Sequence, residues 1–332
     1  MRLALNEAKR GLGCTSPNPA VGAVIVARGK ILARGFHRAA GQLHAEIEAL
    51  RALKKIERAR GATLYVTLEP CSTHGRTPPC VNAIIDAGFR RVVIGTIDPN
   101  PKHSGRAVQL LRSAKIEVKT AVLEAECREL NAAFNKWIAT KLPFVIAKTG
   151  MSLDGRITRP AGEGRWITSE AARAHSHKLR AHVDAVLIGA ETLRIDNPQL
   201  TVRGVRGAKQ PWRVIVSRSG DLPRNARVFT DEFRDKTLVY KNKTLRSVLR
   251  DLGKREITSV LIEGGMRVLG EAFDKRLVDR VQFYVAPLLL GGPKVSAGGR
   301  GAGSTAESAR VANPRYERLG NDLVLSGDVV YD

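Results

Sequence analysis

Four residues of this 332-residue chain, His44, Glu46, Cys71 and Cys80, have the types and spacing that most plainly allow chemistry. His44-Ala45-Glu46 opens one expected helix, Cys71 follows Pro70, and Cys80 follows Pro79 at the start of another helix. One imidazole and two thiolates leave a tetrahedral zinc ion with an open fourth position, as a catalytic site requires and a structural site does not. A water in that position loses its proton near neutral pH. Helix N-termini also favour the thiolate form of the cysteines. Glu46, two residues from the ligand His44, can take the water's proton and pass it to a ring nitrogen and a leaving amine, so it is expected to be a shuttle and not a ligand. His-x-Glu followed by Pro-Cys suits hydrolytic removal of an amino group from a nitrogen heterocycle. Singly the pieces are weak, since His-Ala-Glu is commonly an exposed helix start and two cysteines can be buried thiols. A closed structural zinc site would need a fourth ligand, for which His74 in CSTHGRTPPC is the best candidate.

A second place for chemistry is Glu263-Gly264-Gly265, after the strand-like SVLI and before an apolar helical segment. Glycine amides there can approach a diphosphate at a helix N-terminus. Alone this is weak, because glycine after a strand usually marks a turn. No Gly-x-Gly-x-x-Gly follows a strand, so a Rossmann fold is not indicated.

The elements that must position these residues follow from hydrophobic periodicity. Leu3, Leu5 and Ala8 give a helix over 3–11; AVGAVIV, the turn at Arg28-Gly29-Lys30 and ILARGFH give a hairpin. Helical spacing from His44 to Leu53, the strand ATLYVTL, a helix from Cys80 to Ala87, the strand RRVVIGT, a helix over 105–114 and the strand IEVKTAV complete a three-layer α/β domain. A helix over 124–139 runs to Pro143, which blocks continuation, and the domain boundary is placed between 142 and 143. Beyond it PFVIAKT, AVLIGA, WRVIVS, TLVYK, SVLIE and RVQFYVAP predict a second α/β domain. AGGRGAGS at 297–304 is expected to be a mobile loop.

At 332 residues there is room for two cores, and 43% hydrophobic with 26% charged residues excludes a disordered chain. The longest apolar runs are far below the roughly 20 residues of a membrane span. Met1 is followed by RLALNEAKRGLG, without the apolar core of a secretory signal, so a cytoplasmic protein is expected. Cys14 and Cys127 are then free thiols and no disulfide framework is expected. The net charge of +23 would suit nucleic acid, but 1–142 hold 23 basic against 11 acidic residues and 143–332 hold 32 against 21. With an even spread and only 5% aromatic residues, a basic surface that attracts phosphorylated small molecules is preferred over nucleic-acid binding.

SPNPAVGAVIV (16–26), GFH (35–37), HAEIEAL (44–50), TLEPCSTHGRTPPC (67–80) and DPNP (98–101) resemble the deaminase domain of the bifunctional riboflavin-biosynthesis deaminase/reductase family. The eight residues between Cys71 and Cys80 depart from the Cys-x-x-Cys of nucleoside and nucleic-acid deaminases. KTGMSLDGRI (148–157), GRWITS (164–169), HKLRAHVDAVLIGAETLRIDNPQLTVR (177–203), LIEGGMRVLGEAF (261–273) and FYVAPLLLGG (283–292) resemble the same family's reductase domain. The resemblance covers nearly the whole chain. It implies a cytidine-deaminase-like α/β/α domain with zinc over 1–142 and a dihydrofolate-reductase-like α/β domain using NADPH over 143–332. It implies pyrimidine and phosphate contacts at Asn18, His37, His74, Arg76, Asp98 and Asn100, although Asp98 and Asn100 also read as turn residues. It implies NADPH contacts at Gly150, Trp166, Thr192, Asp196 and the stretch Gly265, Met266, Arg267, Val268, Leu269, Gly270 and Glu271. Ribosyl-phosphate contacts are implied at Arg165, Arg180, Leu200, Arg203 and Glu263, where arginine suits phosphate through bidentate hydrogen bonds. The implied substrate is a phosphorylated pyrimidine and the implied assembly a homo-oligomer. Gly164 stands where the family commonly has serine, and Ser217-Arg218 replace an Asp-Ser pair. These departures leave one rival expectation, a deaminase whose reductase has decayed, and the basic charge leaves another, a nucleic-acid-binding protein whose deaminase domain edits tRNA or single-stranded DNA.

Overall fold

The computed structural model describes residues 1–73, 79–101, 103–160, 162–164 and 166–331. The chain forms two units, Met1–Lys141 and Leu142–Asp332.

The first unit contains α1 (Arg2–Lys9), β1 (Gly22–Ala27), β2 (Lys30–Phe36), α2 (Ala45–Arg51), β3 (Thr63–Leu68), α3 (Cys80–Asp86), β4 (Arg91–Thr96), α4 (Arg106–Ser113), β5 (Glu117–Lys119), α5 (Glu124–Leu130) and α6 (Ala132–Thr140). Its sheet has the order β2-β1-β3-β4-β5, antiparallel through β1 and parallel from β3 onward. Helices α1 and α5 cover one face and α2, α3 and α4 the other, with Ile25, Leu64, Val66, Ile84, Ile94 and Leu111 fully buried between layers. Gly35 on β2 brings α2 close to the sheet: a Cβ there would lie 2.3 Å from the Ala49 nitrogen. That close approach fixes the helix whose first turn carries Glu46. The helix expected over 124–139 is broken at Asn131, whose side chain accepts from the Ala20 amide at 2.8 Å and donates to the Ala20 carbonyl at 3.0 Å. A short polar side chain can exchange helix continuation for a tie to the start of β1.

The second unit contains β6 (Phe144–Ser152), α7 (Glu170–Ala181), β7 (Ala185–Gly189), α8 (Ala190–Asp196), β8 (Trp212–Ser217), α9 (Arg227–Thr230), β9 (Thr237–Lys241), α10 (Leu245–Lys254), β10 (Ser259–Glu263), α11 (Met266–Asp274), β11 (Arg280–Ala286), β12 (Arg310–Leu319) and β13 (Asp322–Val330). The sheet order is β12-β13-β11-β6-β10-β7-β8-β9, parallel from β11 to β9 with an antiparallel edge. Alternate residues of β7 serve two cores: Ala185 and Leu187 pack with α10 and α11, Val186 and Ile188 with Leu193, Leu200 and Val228. A parallel strand covered on both faces is apolar throughout, as AVLIG is. The loop at 297–304 is tied to α11, in contrast to the expected mobile segment. The Gly298 amide donates to the Met266 carbonyl at 2.9 Å, and the Arg300 amide to the Asp274 carboxylate at 3.0 Å. Among the described residues no helix is long and apolar enough to cross a membrane.

Candidate active sites

In the first unit the sheet and two helix starts converge on one point. His44 caps α2, Cys80 begins α3, and Cys71 lies just past the end of β3. The His44 Nδ1 is 3.2 Å from the Cys80 Sγ and 3.5 Å from the Cys71 Sγ, and all three donor atoms lie within 4.8 Å of one another. Tetrahedral zinc with Zn–N of about 2.0 Å and Zn–S of about 2.3 Å requires N···S edges of about 3.5 Å, so the donor set fits that ion. The Cys71 thiol is held well below its usual range, first by the Cys80 thiol beside it and then by His44 and the Cys80 amide. Cys80 is pushed upward by the Cys71 sulfur and by burial. In this geometry the pair carries one negative charge ready for a cation.

Glu46 is 3% exposed, on the inner face of α2. Burial pushes its carboxyl up to about 7, with His44 opposing. A carboxyl near neutrality is suited to taking and returning a proton. Beside it, His37 is buried and packs edge-on against His44 at 5.3 Å. Its Nδ1 donates to the Leu43 carbonyl at 2.9 Å, which leaves Nε2 to accept from the Asn18 amide at 3.1 Å. Burial lowers the His37 pKa, so this neutral ring orients Asn18. Asp98 accepts from the Asn100 amide at 2.9 Å, a turn role, while burial raises its pKa. His74 and Arg76 lie outside the described residues.

One residue that sequence reasoning missed is Glu69, between β3 and Cys71. Its buried carboxylate accepts from the amides of Asp98 at 3.2 Å, Gly105 at 2.9 Å and Ala107 at 3.0 Å. It therefore fastens the DPNP loop and the start of α4 to the strand end that carries a metal-ligand candidate. His103, within reach of Ser72 at 3.4 Å and Thr73 at 3.5 Å, was also missed.

The second unit holds a cleft of about 1500 Å³ along the C-terminal ends of its parallel strands. Ligands of open α/β sheets settle at that edge. Gly150, Trp166, Thr192, Asp196, Gly265, Met266, Arg267, Val268 and Glu271 line it, as do Arg180, Leu200, Arg203 and Glu263. Arg165 lies outside the described residues. Leu269 and Gly270 correct the continuous stretch expected from 265 to 271. The Leu269 side chain is fully buried in the core and its amide is taken by the Gly265 carbonyl, while Gly270 packs on the Gly298 backbone. Helical periodicity turns these two residues away from the cleft. Gly264 and Gly265 have φ of +75° and +84°, conformations open to glycine, and present the first amides of α11 to the cleft.

Toward β10 the cleft is built on a buried ion pair. Arg180 donates from Nε to Glu263 Oε1 at 2.5 Å, from a terminal nitrogen to Oε2 at 2.7 Å, and to the Thr201 carbonyl at 2.9 Å. Lys148, missed in the sequence, places its Nζ 3.8 Å from Glu263. Burial pushes the Glu263 carboxyl up, but Arg180 and Lys148 outweigh it and hold the group at about 2. Burial and then Arg180 and Arg203 lower His177 to about 4, and its Nδ1 accepts from the Arg203 amide at 3.2 Å. Leu200 borders the cleft with its side chain in the core.

Comparison with known proteins bears on both units. Residues 1–96 match the cytidine and deoxycytidylate deaminase zinc-binding region, and residues 143–325 match the RibD C-terminal domain. The chain is 41% identical to the riboflavin biosynthesis protein RibD of Aquifex aeolicus over 98% of this chain and 96% of that protein. It is 38% identical to RibD of Escherichia coli over 88% of each. Among solved structures, Acinetobacter baumannii RibD superposes with a TM-score of 0.90 at 37% identity, covering 99% of this chain and 97% of that one. A Thermotoga maritima diaminohydroxyphosphoribosylaminopyrimidine deaminase/5-amino-6-(5-phosphoribosylamino)uracil reductase superposes with a TM-score of 0.89 at 38% identity and the same coverage. With full-length relatives at this identity and both domain models in order, the chain belongs to the RibD family of riboflavin-biosynthesis deaminase/reductases.

Proposed function

We propose that the first unit removes the 2-amino group of 2,5-diamino-6-ribosylamino-4(3H)-pyrimidinone 5′-phosphate and that the second reduces the ribosyl group of the product to ribityl. The observation that carries this reading is the buried Glu46 beside the His44, Cys71 and Cys80 donors, on one chain with the Gly264-Gly265 cleft. His44, Cys71 and Cys80 would hold zinc, which when bound would supply an acidified water as nucleophile at neutral pH. Glu46 would take one proton of the attacking water and give it to the ring nitrogen, then take the second from the added hydroxyl and give it to the departing amine, so that water and substrate yield ammonia and a ring carbonyl. Asn18, held by neutral His37, orients the pyrimidine.

In the second unit Gly265 and the first amides of α11 would hold the diphosphate of NADPH, and Gly150, Trp166, Thr192 and Asp196, which line the same cleft, would contact the cofactor. NADPH bound there would supply the hydride for C1′ of the opened sugar. No protein nucleophile is needed: Arg180 and Arg203 position the ribosyl phosphate, and Glu263 fixes Arg180. Thiolate ligands and a reduced nicotinamide cofactor suit the reducing cytoplasm.

Metal removal tests the division of labour. After chelation, ammonia release from the diaminopyrimidine phosphate stops, while NADPH oxidation on already deaminated substrate continues; added Zn²⁺ restores the first. Loss of both activities, or of neither, contradicts the assignment.

A further inference from the structure

At its β8 and β9 end the cleft is bordered by Ser217, Arg218 and Ser219 after β8 and by Asn242 and Lys243 after β9. Arg218 and Lys243 are exposed, and neither forms an ion pair among the described residues. The cations elsewhere along the cleft include several that are engaged. Arg180 and Lys148 face Glu263, Lys294 lies 3.9 Å from Glu191, and Arg194 donates to the Asp221 carbonyl. The loop bearing Arg218 is fixed: the Ser217 Oγ accepts from the Gly220 amide at 3.0 Å, and the Ser217 carbonyl accepts from the Asn242 amide at 2.9 Å.

The strand order gives this end a chemical meaning. β8 and β9 lie two and three strands beyond β10. At about 4.8 Å per strand, that is roughly 10–14 Å from the Gly264-Gly265 turn. With the diphosphate at α11 and the nicotinamide directed toward Glu263 and Arg180, the adenosine half extends toward β8 and β9. NADPH differs from NADH only by a phosphate on the adenosine ribose 2′-oxygen, an anion that an unpaired guanidinium grips through two parallel hydrogen bonds. We propose that Arg218, supported by Lys243, binds this 2′-phosphate and sets the preference of the reductase site for NADPH over NADH. Ser217 holds the turn without bringing a carboxylate to this end of the cleft, and Arg218 places a cation there. Both features favour an added phosphate dianion.

The assignment rests on the reductase reading, and direct binding separates the two. Calorimetric titration of the full-length zinc-loaded protein with NADPH and with NADH is compared with the same titrations of Arg218→Ala and Arg218→Lys. Arg218→Ala weakens NADPH about 10- to 100-fold, the range of a lost charge-assisted hydrogen bond, and leaves NADH unchanged. Arg218→Lys retains part of the affinity, because a point charge replaces the fork. Equal weakening of both nucleotides, or of neither, overturns the role of Arg218. A wild-type protein that binds neither nucleotide overturns the reductase reading itself.

Discussion

Replacing Glu46 by glutamine is expected to lower ammonia release by about 10²- to 10⁴-fold, the range for loss of a positioned acid–base group. The substitution keeps the volume of a side chain that is 3% exposed, so α2 remains packed on the sheet. Zinc is expected to remain, because His44, Cys71 and Cys80 already supply three donors within 4.8 Å. NADPH oxidation on supplied deaminated substrate should be unaffected, since the cleft is formed by the second unit. Ammonia kinetics with metal analysis on the same preparation checks both halves. Zinc loss together with activity loss would show that Glu46 is a ligand and not a shuttle.

Glu263→Gln is expected to have the largest effect in the second unit. The largely buried guanidinium–carboxylate pair would become an uncompensated Arg180 and Lys148, and breaking a buried pair in this way costs about 3–5 kcal/mol. The folded pKa of Glu263, about 2, lies below the ordinary carboxylate value. The stabilisation is therefore complete above the unfolded pKa, near 4.5, and is lost as pH falls through about 2. In Glu263→Gln that stabilisation is missing at neutral pH, and the acid-dependent loss from this group disappears. Denaturant unfolding from pH 7 to pH 2, read separately from zinc release, measures it. A variant as stable as wild type at pH 7 would contradict the role given to the pair. Reductase turnover should fall about 100-fold or more as Arg180 loses its bidentate restraint, with deamination retained.

The metal-site candidates were legible because their chemistry is local. His44, Cys71 and Cys80 sit at or next to helix and strand ends that the hydrophobic pattern also marks. Glu69 was not, because its three amide partners lie 29, 36 and 38 residues further along the chain. Lys148 looked like part of an ordinary strand until β10 brought Glu263 beside it. Leu269 and Gly270 fell within a contiguous motif, but a helix sends successive residues in different directions. The β12–β13 hairpin escaped notice because β12 is largely exposed, carries Pro314 and has an irregular register between Ala312 and Arg315. Proline in an apparent strand argues against it unless the strand is at an edge, as β12 is. The fully buried Arg213 belongs to the same class: it is satisfied by Asp231 at 2.6 Å and the Val228 carbonyl at 2.8 Å, partners that a strand pattern does not contain.

The most direct measurement follows ammonia and NADPH together when the full-length zinc-loaded protein is given the diaminopyrimidine phosphate. Ammonia release followed by oxidation of one NADPH per ammonia is the expected result. Ammonia without NADPH oxidation would contradict the two-step reading and leave a deaminase alone, and NADPH oxidation without ammonia would contradict the order of the steps.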